Sequence, residues 1–341
     1  MHKEIGIDLG SMNMSVSTAE EGIIARAPSY AAITREASPR LCSVGDDAIR
    51  AEKDDPETFR LIRPLQKGLV ADDEATRYML SHLIRMTCGN LIIHPRVILG
   101  IPFNLTEEQE NVLEWTANHA GARETFLVYS PVAALAGMEI QRDAAVLIVD
   151  IGASQTSIML TGGARILYKN TVTVGGDSFD AAIANYLNRE KKIRISGRQA
   201  EIVKKKIGSV WISREDRYAD IRGRDAVSGE SVPVRVTSRE MFDALEEPMA
   251  ALLAAVCEAI AQIPTRYVGD IFHRGILLCG GGSLLDGLDK MISGVTGVNA
   301  RVVQYPSDVV GIGLGRILSE LPTSMKNEKL NISMRYLRAG I

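Results

Sequence analysis

An α/β fold built from two similar halves is predicted by three stretches of this chain. Residues 146–159 form an apolar run that ends in Asp150, turns at Gly152 and continues as a second β-prone run. Residues 5–16 repeat that grammar: a β run, Asp8, an apolar residue, Gly10, small polar residues, a β run. Each stretch reads as a β-hairpin whose turn can present bare backbone N–H groups. A supersecondary unit that occurs twice implies two like halves, each giving one hairpin to a shared cleft. The third stretch, residues 275–285, is a buried-type strand running into Gly280-Gly281-Gly282-Ser283 and then apolar residues. Three glycines there let a flat ligand lie close to the main chain. A carboxylate beside such a turn is where a divalent cation sits if the turn holds phosphates.

Composition agrees with a two-domain globular protein. The 341 residues are 46% hydrophobic and 24% charged, which is ample material for two cores. A net charge of −3 gives no support for a nucleic-acid binder. Cys42, Cys88, Cys257 and Cys279 show no close pair spacing, so reduced, buried thiols are expected. Met-His-Lys-Glu leads straight into a strand, with no signal-peptide pattern, and no apolar run nears the ~20 residues of a membrane span. A cytoplasmic location is the expectation.

In chain order, residues 3–8, 14–18 and 22–26 read as three short antiparallel strands around the first turn. A mixed stretch extends to about residue 65, punctuated by Pro39, Pro56 and Pro64, as in an inserted small subdomain. Met79, Leu80, Leu83, Ile84 and Met86 have helical spacing, and Gly89-Asn90 stops that helix. Residues 96–101 are a buried-type strand ended by Pro102, and Thr106 to Gln109 make a capping box for the next helix. After a strand at 125–129, Ser130 reads as an N-cap with Pro131 at the first helical position.

Past the second hairpin, a strand at 168–174 runs into Gly175-Gly176-Asp177-Ser178. The next helix has Phe179, Ile183, Tyr186 and Leu187 on one face. The two glycines fit either a backbone approach to phosphate or a plain turn before an N-cap. Residues 198–209 suit a Lys-rich helix, 211–237 antiparallel strands, and Thr237 to Glu240 a second capping box. Residues 249–263 suit an apolar core helix, which Pro248 is expected to interrupt or kink. The whole is βββαβα with insertions, twice over, with mixed sheets. There is no Gly-x-Gly-x-x-Gly helix opening, no Walker sequence and no close His pair.

On these residues the chain resembles the actin-like ATPase superfamily, and within it the bacterial MreB rod-shape family. The resemblance is carried by residues 6–13, 62–72, 95–102, 174–177, 200–204 and 270–283 and spans roughly residues 4–318. The 62–72 segment separates this family from the Hsp70-type and sugar-kinase relatives. The resemblance implies an actin-like ATPase fold: two similar domains, each with a mixed sheet, helices and an inserted subdomain, around a central nucleotide cleft. The expected limits are 1–140 with an insertion at about 28–66, 141–320 with one at about 178–245, and a tail at 321–341. It further implies ATP and Mg²⁺ as cofactors and homopolymeric filaments on the inner face of the cytoplasmic membrane, while the departure at Ser130 described below leads to the expectation of only a weak ATPase activity. Those filaments would work with the cell-wall elongation machinery and set cell shape.

Carried over residue by residue, Gly10, Ser11, Met12 and Asn13 hold phosphates on the first hairpin. Gly152, Ala153, Ser154 and Gln155 do so on the second, with Gly176 and Asp177 beside them. Asp8 and Asp150 hold Mg²⁺ through waters. Glu201 and Lys204 contact ribose or base, and Gly280, Gly281, Gly282 and Ser283 lie under the nucleotide. The family pattern has Thr-Ala-Asn where this chain has Ser11-Met12-Asn13, and Gly-Gly-Gly-Thr-Thr-Glu where it has residues 152–157. It has Glu-Glu-Pro where this chain has Tyr129-Ser130-Pro131; the second acid orients the attacking water. Ser130 keeps an N-cap role there but is no carboxylate base, which leaves Gln155 as the other candidate for water positioning.

Residues 89–95 place Leu91, Ile92 and Ile93 between Gly89-Asn90 and Pro95, an apolar patch in a loop. Family members carry a hydrophobic loop at the corresponding place that dips into the bilayer; the other reading is that these residues start the buried strand. Leu330, Met334, Leu337 and Ile341 share a helical face in the tail, with Lys329, Arg335 and Arg338 nearby, and offer a second membrane contact or simply a disordered end. An ATP-dependent small-molecule kinase and a non-polymerising scaffold on the same fold are the rival functions. A kinase needs an acid facing the terminal phosphate, and Ser130 occupies that place.

Overall fold

The computed structural model describes residues 4–89, 94–212, 215–320 and 332–338. The chain divides into two compact units: Met1–Ala144 with Gly162–Ile166 and Ser307–Ile341, and Ala145–Thr161 with Leu167–Pro306.

The first unit opens on β1 (Glu4–Leu9), β2 (Asn13–Thr18) and β3 (Gly22–Pro28). A small three-stranded sheet and a helix are inserted next: β4 (Ala31–Thr34), β5 (Leu41–Val44), α1 (Asp46–Asp54) and β6 (Phe59–Ile62). The short pair β7 (Leu65–Gln66) and β8 (Leu69–Val70) leads to α2 (Asp73–Cys88), β9 (Arg96–Ile101), α3 (Glu107–His119), β10 (Glu124–Tyr129) and α4 (Ser130–Gly137). The main sheet has the order β10-β9-β1-β2-β3. β1 runs antiparallel to β2 and parallel to β9, so the sheet is mixed. Every residue of β9 is buried, as the apolar run after Arg96 demands for a strand covered on both faces. Ile5, Ile7, Val16, Leu80, Leu83, Val97 and Leu99, all at 1% exposure or less, form the centre of this unit's core.

The second unit repeats the plan with β11 (Val146–Ile151), β12 (Thr156–Thr161) and β13 (Ile166–Val172). Then come α5 (Gly176–Lys191), β14 (Ile193–Arg194), α6 (Gly197–Ile207), β15 (Tyr218–Asp225) and β16 (Ser231–Thr237). The chain continues through α7 (Ser238–Ala244), α8 (Glu246–Ala261), α9 (Val268–Arg274), β17 (Ile276–Cys279), α10 (Leu288–Thr296) and β18 (Ala300–Val302). Its main sheet is β13-β12-β11-β17-β18, again mixed, and β14-β15-β16 is the inserted small sheet. Phe179, Ile183 and Leu187 bury one stripe of α5 against this sheet's core, as their spacing predicts.

The chain then returns to the first unit as α11 (Val309–Glu320) and α12 (Ser333–Arg338). This departs from the boundary expected at residue 320. The apolar stripe of α11 is buried with the first unit: an added Cβ on Gly313 would run into the Ala133 carbonyl, and Gly311 lies against Ser15.

Four local expectations need correction. The N-cap of α4 is Tyr129, with no side-chain cap; Ser130 is already the first helical residue and Pro131 the second. Pro248 sits in the first turn of α8, where a missing N–H leaves no intrahelical bond unmade, so it starts the helix and does not break it. Cys42 and Cys257 are exposed, on the edge strand β5 and the outer face of α8, and only Cys88 and Cys279 are buried; all four are free thiols. Met86 is 52% exposed although it shares the spacing of the core residues of α2. Both capping boxes, at Thr106 and Thr237, are formed, and a third occurs at Ser196 with Gln199.

Leu337 of the tail is fully buried and Tyr336 nearly so, with Arg142 stacked over the Tyr336 ring. The Ile332 amide donates to the Leu127 carbonyl and the Tyr129 amide to the Ser333 hydroxyl, so this segment docks along β10. Leu337 therefore belongs to the first unit's packing and not to a membrane-facing stripe. Leu330 and Ile341 lie outside the described residues, as do Leu91, Ile92 and Ile93.

Candidate functional site

In the first unit, Asp8 stands near the end of β1, opposite Ser15 on β2 and Gly100 on β9. In the second, Asp150 stands near the end of β11, opposite Ser157 on β12 and Cys279 on β17. The equivalence is one of register. Each acid is the penultimate residue of a central strand, with a serine across the antiparallel ladder and a small residue across the parallel one.

The turns after these strands share a geometry fixed by their carbonyls. The Gly10 carbonyl accepts the Ser29 hydroxyl at 2.5 Å and the Met12 carbonyl accepts the Ser29 amide at 2.8 Å. Peptide planes are flat and trans, so a carbonyl turned toward Ser29 sends the next N–H the opposite way. Those are the amides of Ser11 and Asn13. In the second unit the Gly152 carbonyl accepts the Gly176 amide at 3.0 Å and the Ala153 carbonyl accepts the Asp177 amide at 2.7 Å. The amides of Ala153 and Ser154 are therefore aimed away from α5. Gly152 donates to the Gln155 carbonyl at 2.9 Å and closes the turn. Two outward N–H groups per turn are the donor pattern that receives an anion.

The pair Gly175-Gly176 resolves in this light. A Cβ on Gly175 would lie 2.7 Å from the carbonyl oxygens of both Gly152 and Ala153, so only glycine lets α5 start this close to the turn. The Gly176 and Asp177 amides are used on that turn, and the Asp177 carboxylate accepts the Ser154 hydroxyl at 2.8 Å.

Ser130 is brought to Asp8. A Cβ on Gly100 would be 3.4 Å from the Ser130 Oγ and 3.5 Å from an Asp8 Oδ1, which puts hydroxyl and carboxylate on the same side of β9. Sequence reasoning gave no role to Arg63. Its guanidinium donates to the Tyr30 hydroxyl at 3.3 Å and reaches the Met12 sulfur at 3.7 Å, bringing a cation to the first turn. Its place in the 62–72 segment was the available signal.

Gly280 comes directly after β17 with a φ of +77° and presses on Asp150. Ser283 is buried, its hydroxyl donating to the Gly280 carbonyl at 2.7 Å, while Gly282 packs against Ile151. Burial pushes the Asp150 carboxyl up to about 6, and a bond from the Cys279 thiol offsets this only in part. A carboxylate held in so poorly solvated a place gains from a cation, which suits the chemistry of Mg²⁺. On α6, Glu201 pairs with Lys205 at 2.6 Å and Lys204 with Asp180 at 2.9 Å.

A family model described as MreB/Mbl protein matches residues 2–326. The cell shape-determining protein Mbl of Bacillus subtilis (strain 168) is 34% identical over 322 residues, covering 94% of this chain and 96% of that protein. The cell shape-determining protein MreB of Escherichia coli (strain K12) is also 34% identical, over 92% of this chain and 93% of its own. Among solved structures, MreB5 of Spiroplasma citri bound to ADP superposes with a TM-score of 0.84 at 28% identity, covering 92% of this chain and 95% of that one. A MamK double helical filament superposes with a TM-score of 0.80 at 21% identity, over 93% and 99%, a likeness of fold alone. With its actin-like fold, its repeated Asp–Gly turns and a match along nearly its whole length, the chain belongs to the MreB/Mbl family of cell shape-determining actin homologues.

Proposed function

We propose that this protein binds ATP with Mg²⁺ and polymerises into filaments that lie on the inner face of the cytoplasmic membrane and direct cell-wall synthesis. The observation that carries the nucleotide assignment is the matched pair of turns. Asp8 and Asp150 occupy equivalent registers, and each turn has its carbonyls drawn inward and two amides turned outward. Ser11, Met12 and Asn13 on one turn, and Gly152 to Gln155 on the other, would hold phosphate oxygens through backbone N–H groups. Gly280 to Ser283 would lie against the nucleoside, with Glu201 at ribose or base. Mg²⁺ would neutralise phosphate charge beside Asp8 and Asp150. Support comes from relatives: MreB5 of Spiroplasma citri has been solved with ADP and with AMPPNP, and MamK as a double helical filament.

Hydrolysis is proposed to be slow. A serine hydroxyl does not deprotonate water near neutral pH, and Ser130 stands where the family resemblance expects a carboxylate. Its hydroxyl can hydrogen-bond a water beside Asp8, which orients without accepting a proton, and Gln155 is the other side chain suited to orienting it. Phosphate contacts through backbone are unaffected by that substitution, so binding persists while turnover falls.

Sedimentation with and without Mg²⁺-ATP tests the proposal. Nucleotide-dependent pelleting supports a filament protein; a protein that stays in the supernatant under all conditions contradicts it and favours a scaffold on the same fold.

A further inference from the structure

We infer that the C-terminal segment from Ile332 to Leu337 is an intramolecular strap on the start of α4, with Ser333 as a positioning residue for Ser130. Its effect on turnover rests on the slow-hydrolysis reading above; the strap itself does not.

β10 is the edge strand of its sheet, so one row of its backbone groups faces away from β9. The strap takes up two of them. The Leu127 carbonyl accepts the Ile332 amide at 3.0 Å, and the Tyr129 amide donates to the Ser333 hydroxyl at 2.8 Å. Ile332, Ser333, Tyr336 and Leu337 are all buried there. Arg142, in the loop after α4, lies over the Tyr336 ring at 4.0 Å and pairs with Glu320 at the end of α11.

The bond to Tyr129 falls where α4 cannot make one for itself. Tyr129 is the N-cap, and in a capping box the N3 side chain reaches back to accept the N-cap amide. In α4 that position is Val132, whose side chain has no acceptor. Ser333 supplies the acceptor from 204 residues away. The next residue after Tyr129 is Ser130, whose hydroxyl lies on the same side of β9 as the Asp8 carboxylate. The far end of α4 is held by the same part of the chain, since Arg316 donates to the Ala136 carbonyl at 3.1 Å and to the Gly137 carbonyl at 2.7 Å. Both ends of α4 are therefore set by residues beyond 309. The strap sets the end that carries Ser130, and its docking decides where the Ser130 hydroxyl can hold a water.

Two measurements on the full chain test this. In nucleotide-free protein, Ser333→Ala should speed hydrogen exchange of a peptide spanning Tyr129 and Ser130 about fivefold, the loss of one neutral hydrogen bond. A peptide from α10 should keep its wild-type rate. Ser333→Thr retains the hydroxyl and should restore wild-type exchange. Unchanged exchange in Ser333→Ala, equal acceleration in α10, or a Thr variant as fast as the Ala variant overturns the strap. Steady-state phosphate release is the second readout. Ser333→Ala should lower kcat about threefold or more through misplacement of Ser130. KM for ATP should stay within about twofold, because the strap touches neither phosphate turn. In a Ser130→Ala background the same change at Ser333 should leave kcat as it was. An equal drop in that background, or a raised KM with kcat unchanged, overturns the positioning role. If the unaltered protein releases no phosphate, the hydrolysis reading fails while the exchange measurement still decides on the strap.

Discussion

Gly280 and Asp150 touch so closely that no side chain fits between them. A Cβ on Gly280 would lie 2.6 Å from an Asp150 Oδ1 and 2.3 Å from the Ile151 carbonyl oxygen. The φ of +77° at Gly280 would strain any other residue as well. Gly280→Ala should therefore cost about 2–4 kcal/mol, combining backbone strain with overpacking, and displace the Asp150 carboxylate. Denaturant unfolding alongside nucleotide titration checks it. A loss under about 1 kcal/mol with normal nucleotide affinity would show that the Gly280 turn relaxes freely.

Ser130→Glu places a carboxylate beside Asp8 at the start of α4. General-base or water-orienting catalysis contributes ~10²–10⁴-fold, so the variant should release phosphate much faster than the unaltered protein. A phosphate-release assay in which both turn over at the same brisk rate would mean that another group, such as Gln155, already orients the water.

Asp180 gives the second unit a pH signature. Burial is the largest cause of its raised value, about 6; Lys204 pulls it down, and Glu201 and Asp177 push it further up. An ordinary carboxylate lies near 3.8. Between those values the folded protein holds this proton more tightly than the unfolded chain. The contribution of Asp180 to stability therefore declines as pH rises from about 4 to about 6 and is flat outside that window. Asp180→Asn should remove that limb. Denaturation midpoints for both proteins at several pH values give the comparison, and parallel curves would refute it.

Membrane attachment is predicted to depend on Leu91, Ile92 and Ile93, which lie outside the described residues. Burying each of these side chains contributes about 1.5–3 kcal/mol at best, so a monomer binds weakly once association entropy is subtracted. Repetition along a filament makes the sum decisive. Filaments should sediment with anionic liposomes, and Leu91→Ser with Ile92→Ser should abolish most of that while leaving nucleotide binding intact. Full liposome binding by the double variant would transfer the role to another segment or a partner protein.

Much of this architecture was legible because it depends on local chemistry. The Asp–Gly grammar of residues 5–16 and 146–159 announces both hairpins, and capping residues mark α3 and α7 within a residue or so. What depends on long-range packing was not. Nothing in residues 309–320 says that α11 returns to the first unit; its glycines at 311 and 313 acquire meaning only against Ser15 and Ala133. Lys204 and Asp180 are far apart in sequence, and their ion pair exists because α5 and α6 pack together. Arg63 lies in the family-marking 62–72 segment, but its role shows only where the chain after β6 brings it to Met12. Leu337 has amphipathic spacing that suits a membrane or a core equally well, and burial along β10 decides it.

The Asp–Gly turns are proposed to bind nucleotide with Mg²⁺, and calorimetric titration of ATP into the protein tests that proposal most directly. Wild-type protein should bind in Mg²⁺ and lose most of that affinity with a chelator present. Asp150→Ala should show no Mg²⁺-dependent binding while keeping its fold. Unchanged affinity in Asp150→Ala, or binding indifferent to Mg²⁺ in the wild type, would contradict the role proposed for Asp150 and with it the nucleotide assignment.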